Sequence, residues 1–340
     1  MRIAIIGLGM ASLPHLAALK NLSDKVTVTG VYCRDDVLRE KVANEHGYHA
    51  FSSLDEIALC QQTQAVLLIT PPSARYEIIN KMSASGKHIL SEKPLERSYS
   101  SALALVEMCE ARGVKLGVVF QHRFRVAAMR LADIMKDGKL GDLALVRAEI
   151  PWWREQAYYD AGARGTYAQD GGGVLITQAI HVLELMLSIT GPVKKVQALC
   201  ATTKLHNMET EDFASCGLVF EGGFPGSIVA TTASYPGGAE KLIIDGTLGS
   251  ATLEAGKLVI NFRDGRTVEV GEETRTGCGA NPMDFPCDWH QSVIEDFASS
   301  VSDNRDPKIT GRTALGVHKL LEAIRRSSDS AAMVSLADIV

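Results

Sequence analysis

The stretch "RIAIIGLGMAS", residues 2–12, decides the fold of the first third of the chain. Ile3 to Ile6 is apolar without alternation, as a strand covered on both faces should be. Gly7 and Gly9 follow at once, and a helical period begins near Met10. Strand, G-x-G, helix is the start of the dinucleotide fingerprint. Its first glycine makes the tight turn, and its second lets a pyrophosphate approach the backbone. The third position holds Ser12, small but not glycine. Gly7, Gly9, Met10 and Ala11 are therefore the candidate phosphate loop. The plainer alternative is an ordinary strand–helix turn.

Working outward, "VTVTGVYC" (26–33), "AVLLIT" (65–70), "HILSEK" (88–93) and "VKLGVVF" (114–120) read as further buried strands, with helical patterns between them. That alternation predicts a parallel, doubly wound α/β sheet, a Rossmann domain over residues 1–121. The pattern changes after Phe120. "LALVRAEI" (143–150), "VKKVQALCATT" (193–203), "FASCGLVF" (213–220), "GSIVATTASY" (226–235), "KLIIDG" (241–246) and "KLVINF" (257–262) are strands separated by turn residues. Gly222-Gly223, Gly237-Gly238 and Asp264-Gly265 mark expected hairpins. Residues 122–340 thus read as an α+β domain on a mostly antiparallel open sheet. Two late helices could pack back on the first domain. The earlier of them opens with Asp288 and Gln291, spaced like a capping box.

The whole chain limits the possible functions. Its 340 residues suffice for two domains, and 46% hydrophobic with 22% charged residues is ordinary for a globular protein. A net charge of −5 argues against nucleic acid or an anionic membrane as the main partner. No apolar run approaches the ~20 residues that span a bilayer. Met1 leads directly into a strand, so no signal peptide is expected. Seven scattered cysteines read as reduced thiols. The expectation is a cytoplasmic protein.

An NAD enzyme usually carries Asp or Glu at the end of its second strand, where the ribose is read. Here the end is "VYCRDD", with Cys33 and then Arg34. Arg34 could pair with a 2′-phosphate, which favours NADP over NAD. Asp35 or Asp36 would restore the acidic reading, and a solvated Arg34 would mean nothing.

"LSEKPLERS" (90–98) places Lys93 at the end of what counts as the fifth strand. Ligands of open α/β sheets bind outside the carboxyl ends of the strands. Lys93 could hydrogen-bond a substrate hydroxyl there and stabilise the alkoxide that forms as hydride leaves. A salt bridge with Glu92 is the bland alternative. In "DGGGVLITQAIHVLELMLSITG" (170–191), a helix is expected from Val174 to Leu187. Thr177, His181, Glu184 and Ser188 recur on one stripe, with Gln178 beside it. The three glycines would expose N–H donors to a ligand. His181 could serve as general base or acid, or be a core histidine.

The G-x-G loop, "EKP" and "GGG…H" in this order resemble the Gfo/Idh/MocA family of NAD(P)-dependent oxidoreductases, over nearly the whole chain. His15, "TPP" (70–72) after the fourth strand and "FQHRF" (120–124) after the sixth also look like the family. "WWREQAYYDAGARGTYAQDGGG" resembles a branch acting on sugars and sugar acids, including nucleotide-sugar uronates. The resemblance implies that Lys93 contacts nicotinamide ribose and substrate hydroxyl, that Lys93–Pro94 is cis and that His181 shuttles the proton. It extends the cofactor contacts to Thr70, Pro71, Pro72, Glu92 and Gln121. One position departs from it: many members carry Asp four residues before the histidine, where this chain has Thr177. Catalysis would then rest on Lys93 and His181, with Glu184 able to orient the histidine.

Arg123, Tyr159, Arg164, Thr177 and Gln178 are the candidate substrate contacts, with Tyr158 nearby. Arginine suits a carboxylate or phosphate and aromatics suit a sugar face, although each could equally be a loop anchor. Trp152 and Trp153 are packing or a lid. Cys278, Cys287 and His290 cluster in sequence, but lack C-x-x-C spacing and a fourth ligand, so no metal is expected. The expected activity is hydride transfer between NAD(P) and a hydroxyl or carbonyl carbon of a sugar, sugar acid or related polyol. The rivals are a non-catalytic dinucleotide-binding sensor or co-repressor, and a redox-assisted NAD-dependent glycosidase. Neither face of strand 226–235 carries a charge: Ile228, Ala230, Thr232 and Ser234 lie on one, Val229, Thr231, Ala233 and Tyr235 on the other. A homodimer or homotetramer formed through this sheet is expected.

Overall fold

Strands that are apolar on both faces need cover on both faces, and the first unit supplies it. The computed structural model describes residues 1–162, 164–273 and 286–340. They form two units, Met1–Gln121 with Pro286–Leu315, and His122–Phe285 with Gly316–Val340. The first runs β1 (Arg2–Ile6), α1 (Leu13–Asn21), β2 (Thr27–Tyr32), α2 (Asp36–His46), α3 (Leu54–Leu59), β3 (Ala65–Leu68), α4 (Arg75–Ala84), β4 (His88–Glu92), α5 (Tyr99–Ala111) and β5 (Leu116–Val119). Among the described residues its sheet has the order β2-β1-β3-β4-β5, and every pair is parallel. All residues of β3 and β5 are buried. The strand order reverses at β1, so the ends of β1 and β3 flank the crevice where such sheets bind ligands.

One expectation needs correction. Lys93 follows the fourth strand, not a fifth, and "TPP" and "FQHRF" likewise follow the third and fifth. After α2 the chain touches β2 through a single bridge, Ala50 with Val31.

The second unit begins with α6 (Val126–Lys136), β6 (Leu143–Pro151), α7 (Gln156–Asp160), α8 (Ile180–Thr190), β7 (Val193–Ala201), β8 (Phe213–Phe220) and β9 (Pro225–Thr231). It continues with β10 (Lys241–Gly246), β11 (Gly249–Glu254), β12 (Lys257–Phe262) and β13 (Thr267–Val270). The late elements are α9 (Asp288–Ser302), in the first unit, α10 (Gly311–Ser330) and β14 (Val334–Ser335). Among the described residues one sheet runs β13-β12-β11-β10-β6-β9-β8-β7-β14. β6 and β9 pair in parallel and the other neighbours antiparallel.

That parallel pair explains a second correction. Gly237-Gly238 closes no hairpin, because the chain passes across β6 between β9 and β10. β11 went unread in the sequence because it is rich in small residues. A turn at Ala255 and Gly256, both at positive φ (49° and 84°), joins it to β12. Nor does the capping box at Asp288 form. The N-cap is Cys287 without a side-chain cap, and Gln291 accepts from Asn21 at 3.0 Å.

α8 covers the inner face of the second sheet at β6, and α6 covers it at β11, β12 and β13. Burial settles which side of β9 faces out. Ile228, Ala230 and Thr232 are buried, whereas Val229 is 42% exposed. Neighbouring strands put charge on the outward side too, in the pairs Arg147–Asp245 (3.0 Å) and Lys241–Glu254 (2.9 Å). Exposed Lys195 of β7 lies on the outward side as well, so the uncharged surface is confined to β8, β9 and the Leu199 end of β7. The described cysteines are free thiols, and Cys278 lies outside the described residues. No helix among the described residues is long and apolar enough to cross a membrane.

Candidate functional site

In the first unit, Gly7 sits at φ 103°, and a Cβ there would lie 2.8 Å from the Ile69 carbonyl. Only glycine fits. Gly9 is different: its φ is an ordinary −72°, and a Cβ would meet no protein atom within 4 Å. The chain's own packing does not require glycine at 9, but an approaching pyrophosphate would. Met10 and Ala11 are exposed beside it, and the Ser12 hydroxyl donates to Gly9 O at 2.7 Å. Thr70 Oγ1 and Gln121 Oε1 are buried and lack a hydrogen-bond partner among the described residues. Buried polar atoms are rarely left so, and both residues are expected cofactor contacts. An open cradle and two unsatisfied oxygens fit a dinucleotide. Pro71 is exposed and Pro72 buried.

Beyond β2, Arg34 is exposed and makes no ion pair among the described residues, and Cys33 is half-buried. Asp35 caps α2 by accepting from Leu38 N at 3.0 Å, and Asp36 pairs with Arg39 at 2.7 Å. Both acids that could read a ribose therefore serve the start of α2.

Lys93 is half-buried just past β4, and the Lys93–Pro94 peptide is cis; Tyr235–Pro236 is cis as well. Glu92 Oε1 accepts from His15 Nε2 at 2.8 Å, and Oε2 accepts from the backbone N–H of Lys93 at 3.0 Å. Burial pushes the Glu92 carboxyl up, but the His15 hydrogen bond and the nearby charges outweigh it and hold it at about 2. Sequence reading missed Arg75 of α4, which is 2% exposed. It donates to Thr70 O at 3.0 and 2.7 Å and to the carbonyls of Glu92 and Pro94. It thus ties the end of β3 to the end of β4. Burial lowers its pKa to about 10, so it is still a cation at neutral pH. The available signal was an arginine placed just after "TPP".

In the second unit the "GGG" segment differs from expectation. The turn Leu175–Ala179 is wound as a π-helix before α8 begins, so Thr177 does not continue the α-helical stripe. Glu211 accepts from Gly173 N at 3.0 Å and from Leu175 N at 3.1 Å. A Cβ on Gly173 would lie 1.8 Å from the Glu211 carbonyl oxygen. The glycine admits the chain's own residue 211, and of the N–H donors expected to face a ligand that of Gly173 goes to the Glu211 carboxylate and that of Gly171 to Tyr167 O at 3.1 Å. Thr177 donates to Gly173 O at 2.6 Å, and Gln178 Nε2 reaches Tyr158 Oη at 3.4 Å.

His181 is 7% exposed and Glu184 2%, while Ser188 is exposed. Glu184 is engaged by Arg123 through both carboxylate oxygens, Nε to Oε2 at 3.0 Å and Nη2 to Oε1. Burial pushes its carboxyl up against that pairing. His181 instead stacks on His122, with centroids 4.8 Å apart and planes 23° apart. Arg125 donates to His122 Nε2 at 2.6 Å and to Glu240 at 2.8 Å. Arginine only donates, so His122 Nε2 carries no proton. This support for His181 was hidden in "FQHRF". Tyr159 is buried, and its hydroxyl lies 2.6 Å from Thr232 Oγ1; burial pushes its pKa up to about 12. Arg164 lies over the Tyr158 ring at 4.4 Å. Trp152 is buried, and the Trp153 indole donates to Glu155 at 3.0 Å.

Residues 1–120 match the family described as an oxidoreductase family with an NAD-binding Rossmann fold, and residues 128–252 match the GFO/IDH/MocA C-terminal domain. The scyllo-inositol 2-dehydrogenase (NAD(+)) of Bacillus subtilis is 25% identical, covering 91% of this chain and 89% of the relative. An uncharacterized oxidoreductase of Synechocystis is 24% identical, covering 100% and 97%. Among solved structures, the WlbA dehydrogenase from Bordetella pertussis, in complex with NADH and UDP-GlcNAcA, matches with a TM-score of 0.84 and 26% identity, covering 98% of each chain. With the loop, the cis Lys93–Pro94 motif and the two sheets in place, the chain belongs to the Gfo/Idh/MocA family of oxidoreductases.

Proposed function

We propose that the protein is an NAD(P)-dependent dehydrogenase or reductase acting on a CH–OH carbon of a sugar, sugar acid or related polyol. The observation that carries the reading is the open space over Gly9, where a Cβ would meet no protein atom within 4 Å, in the same unit as a half-buried lysine at the end of β4. A bound nicotinamide supplies the hydride acceptor. Lys93 donates to the substrate oxygen and stabilises it as an alkoxide develops, and His181 takes the hydroxyl proton. Arg123, Tyr159, Arg164, Thr177 and Gln178 are the proposed substrate contacts. The relatives' named substrates, an inositol and a nucleotide-sugar uronate, support the class. The scattered thiols fit a cytoplasmic setting. A panel of inositols, aldoses, sugar acids and UDP-GlcNAcA, followed by cofactor reduction, tests it. Sustained reduction supports the dehydrogenase. Sugar release without net reduction would replace it with the glycosidase, and binding of cofactor without turnover on any compound would replace it with the sensor.

NADP is the proposed cofactor, on the strength of the exposed Arg34 and the engagement of Asp35 and Asp36 in α2. Losing a charge-assisted contact to a phosphate costs about 1.5–3 kcal/mol, or ~10–100-fold in affinity. Arg34→Ala should weaken NADPH binding by that much and leave NADH nearly unchanged in fluorescence titrations. Equal losses, or tighter NADH binding by the parent, would make NAD the cofactor.

The assembly proposed is a homodimer or homotetramer through β7, β8 and β9. Leu199 and Val229 lie on one row of the outward face, 61% and 42% exposed. Thr231→Glu should shift the sedimenting species to monomer and keep cofactor binding. Thr232 is buried against Tyr159, so a charge there would test folding instead. A parent that sediments as a monomer at micromolar concentration would end the idea.

A further inference from the structure

Two buried histidines of the first unit have no part in the reading above. His15 of α1 and His290 of α9 join Glu92 in a cluster whose ligand atoms lie within 4.8 Å of one another. His15 is fully buried and His290 is 3% exposed. Their rings meet edge to face with centroids 4.8 Å apart. Two chemistries use such a trio: a transition-metal site, or a hydrogen-bonded link.

The remaining nitrogen of His15 separates them. Nδ1 is buried and has no hydrogen-bond partner among the described residues. A proton there would be an unsatisfied buried donor, so the proton belongs on Nε2, facing Glu92. A metal needs Nε2 bare and usually a partner for the other ring N–H. It would also face two cations, since Lys93 and Arg75 both act electrostatically on Glu92. The link has neither problem. One carboxylate oxygen takes the His15 proton and the other takes the Lys93 amide.

We propose that His15 is a positioning residue for Lys93, holding the backbone at the end of β4 through Glu92, with His290 closing the pocket around the pair. The inference rests on the reading of Lys93 as the group that meets substrate.

The charged or titratable groups facing Glu92 are His15 from α1, His290 from α9, Arg75 from α4 and Lys93 beside it. His290 is held uncharged by burial, its pKa down at about 3. For Glu92, burial raises the carboxyl pKa and the His15 hydrogen bond is the largest influence lowering it. Without His15 the acid form appears at higher pH, and the link opens as pH falls.

The test uses the full chain with NADPH bound and the variants His15→Leu and His15→Gln. It reads amide exchange at Lys93, corrected for intrinsic rate, and the pH profile of kcat on whichever sugar or polyol the parent oxidises. His15→Leu should lose about tenfold in Lys93 amide protection, with the loss growing as pH falls. Its acid limb of kcat should move towards neutrality, with NADPH affinity within about threefold. The glutamine amide can still donate to Glu92, so His15→Gln should stay near the parent in both readouts. Loss of stability in both variants without movement of the acid limb would mean a merely structural role and overturn the proposal. One equivalent of metal in the purified parent would overturn it too. Should His15→Leu not fold, Glu92→Gln repeats the test, and parent-like protection and rate in that variant would end the idea. Lys93→Ala in the same assay separates the two readings. If it is inactive while His15→Leu is parent-like, positioning alone fails. If it is active, the role of Lys93 fails, and the exchange result still decides whether His15 holds the backbone.

Discussion

Lys93→Ala and His181→Ala are each expected to lower kcat by at least ~100-fold while NAD(P)H affinity stays within about tenfold, the scale for loss of a positioned acid–base group. In the proposed mechanism both serve the same substrate hydroxyl, so the double variant should be little worse than either single one. His181 packs against His122, so an alanine there also removes a stacking partner. His181→Asn keeps more of that volume and should be nearly as slow. If it instead recovers most of the rate, the ring matters for packing and not for proton transfer. Near-parent turnover in Lys93→Ala would remove the proposed oxygen-stabilising group altogether. Stopped-flow measurement under single turnover separates the chemical step from release of reduced cofactor.

Gly173→Ala is expected to be the most damaging of the small substitutions. Its Cβ would lie 1.8 Å from the Glu211 carbonyl oxygen, with further Glu211 backbone atoms at 2.7 and 2.9 Å. Those are backbone atoms, which cannot swing aside as a side chain would. Separating the segments also loosens the Glu211 bonds to Gly173 N and Leu175 N. Overpacking of this kind costs about 1–3 kcal/mol and sometimes more, and loosening a buried carboxylate from its donors adds to it. A loss of ~3 kcal/mol or more, read from the denaturant midpoint, is expected. Gly9→Ala is the internal control, since a Cβ there meets no protein atom within 4 Å. It should leave the midpoint where it is and weaken dinucleotide binding. A Gly173→Ala midpoint equal to that of the parent would show that residue 211 can retreat without cost.

Legibility in the sequence followed the range of the interaction. The parallel sheet was legible because β1, β3 and β5 are short apolar runs between helices, and that pattern has few other solutions. The tight turn after β1 was legible because Gly7 answers a local demand: its backbone conformation and the neighbouring Ile69 carbonyl both forbid a side chain. Lys93 stood out as a candidate because a proline beside a charged strand end is uncommon in a buried sheet.

What the sequence by itself determined, then, was the alternation of strands and helices around a parallel sheet and the mostly antiparallel character of the second sheet. Tertiary structure decided what each side chain faces. Glu184 sits one helical turn from His181, yet Arg123 holds it through both oxygens. Glu211 drew no attention as a lone acid, yet it caps the helix that carries His181. Arg75, His15 and His290 come from three separate helices to the end of one strand. The physical reason is that secondary structure depends on period and backbone preference over a few residues. A buried charge or hydrogen bond depends on which distant group is brought within about 3 Å of it, and spacing along the chain does not encode that.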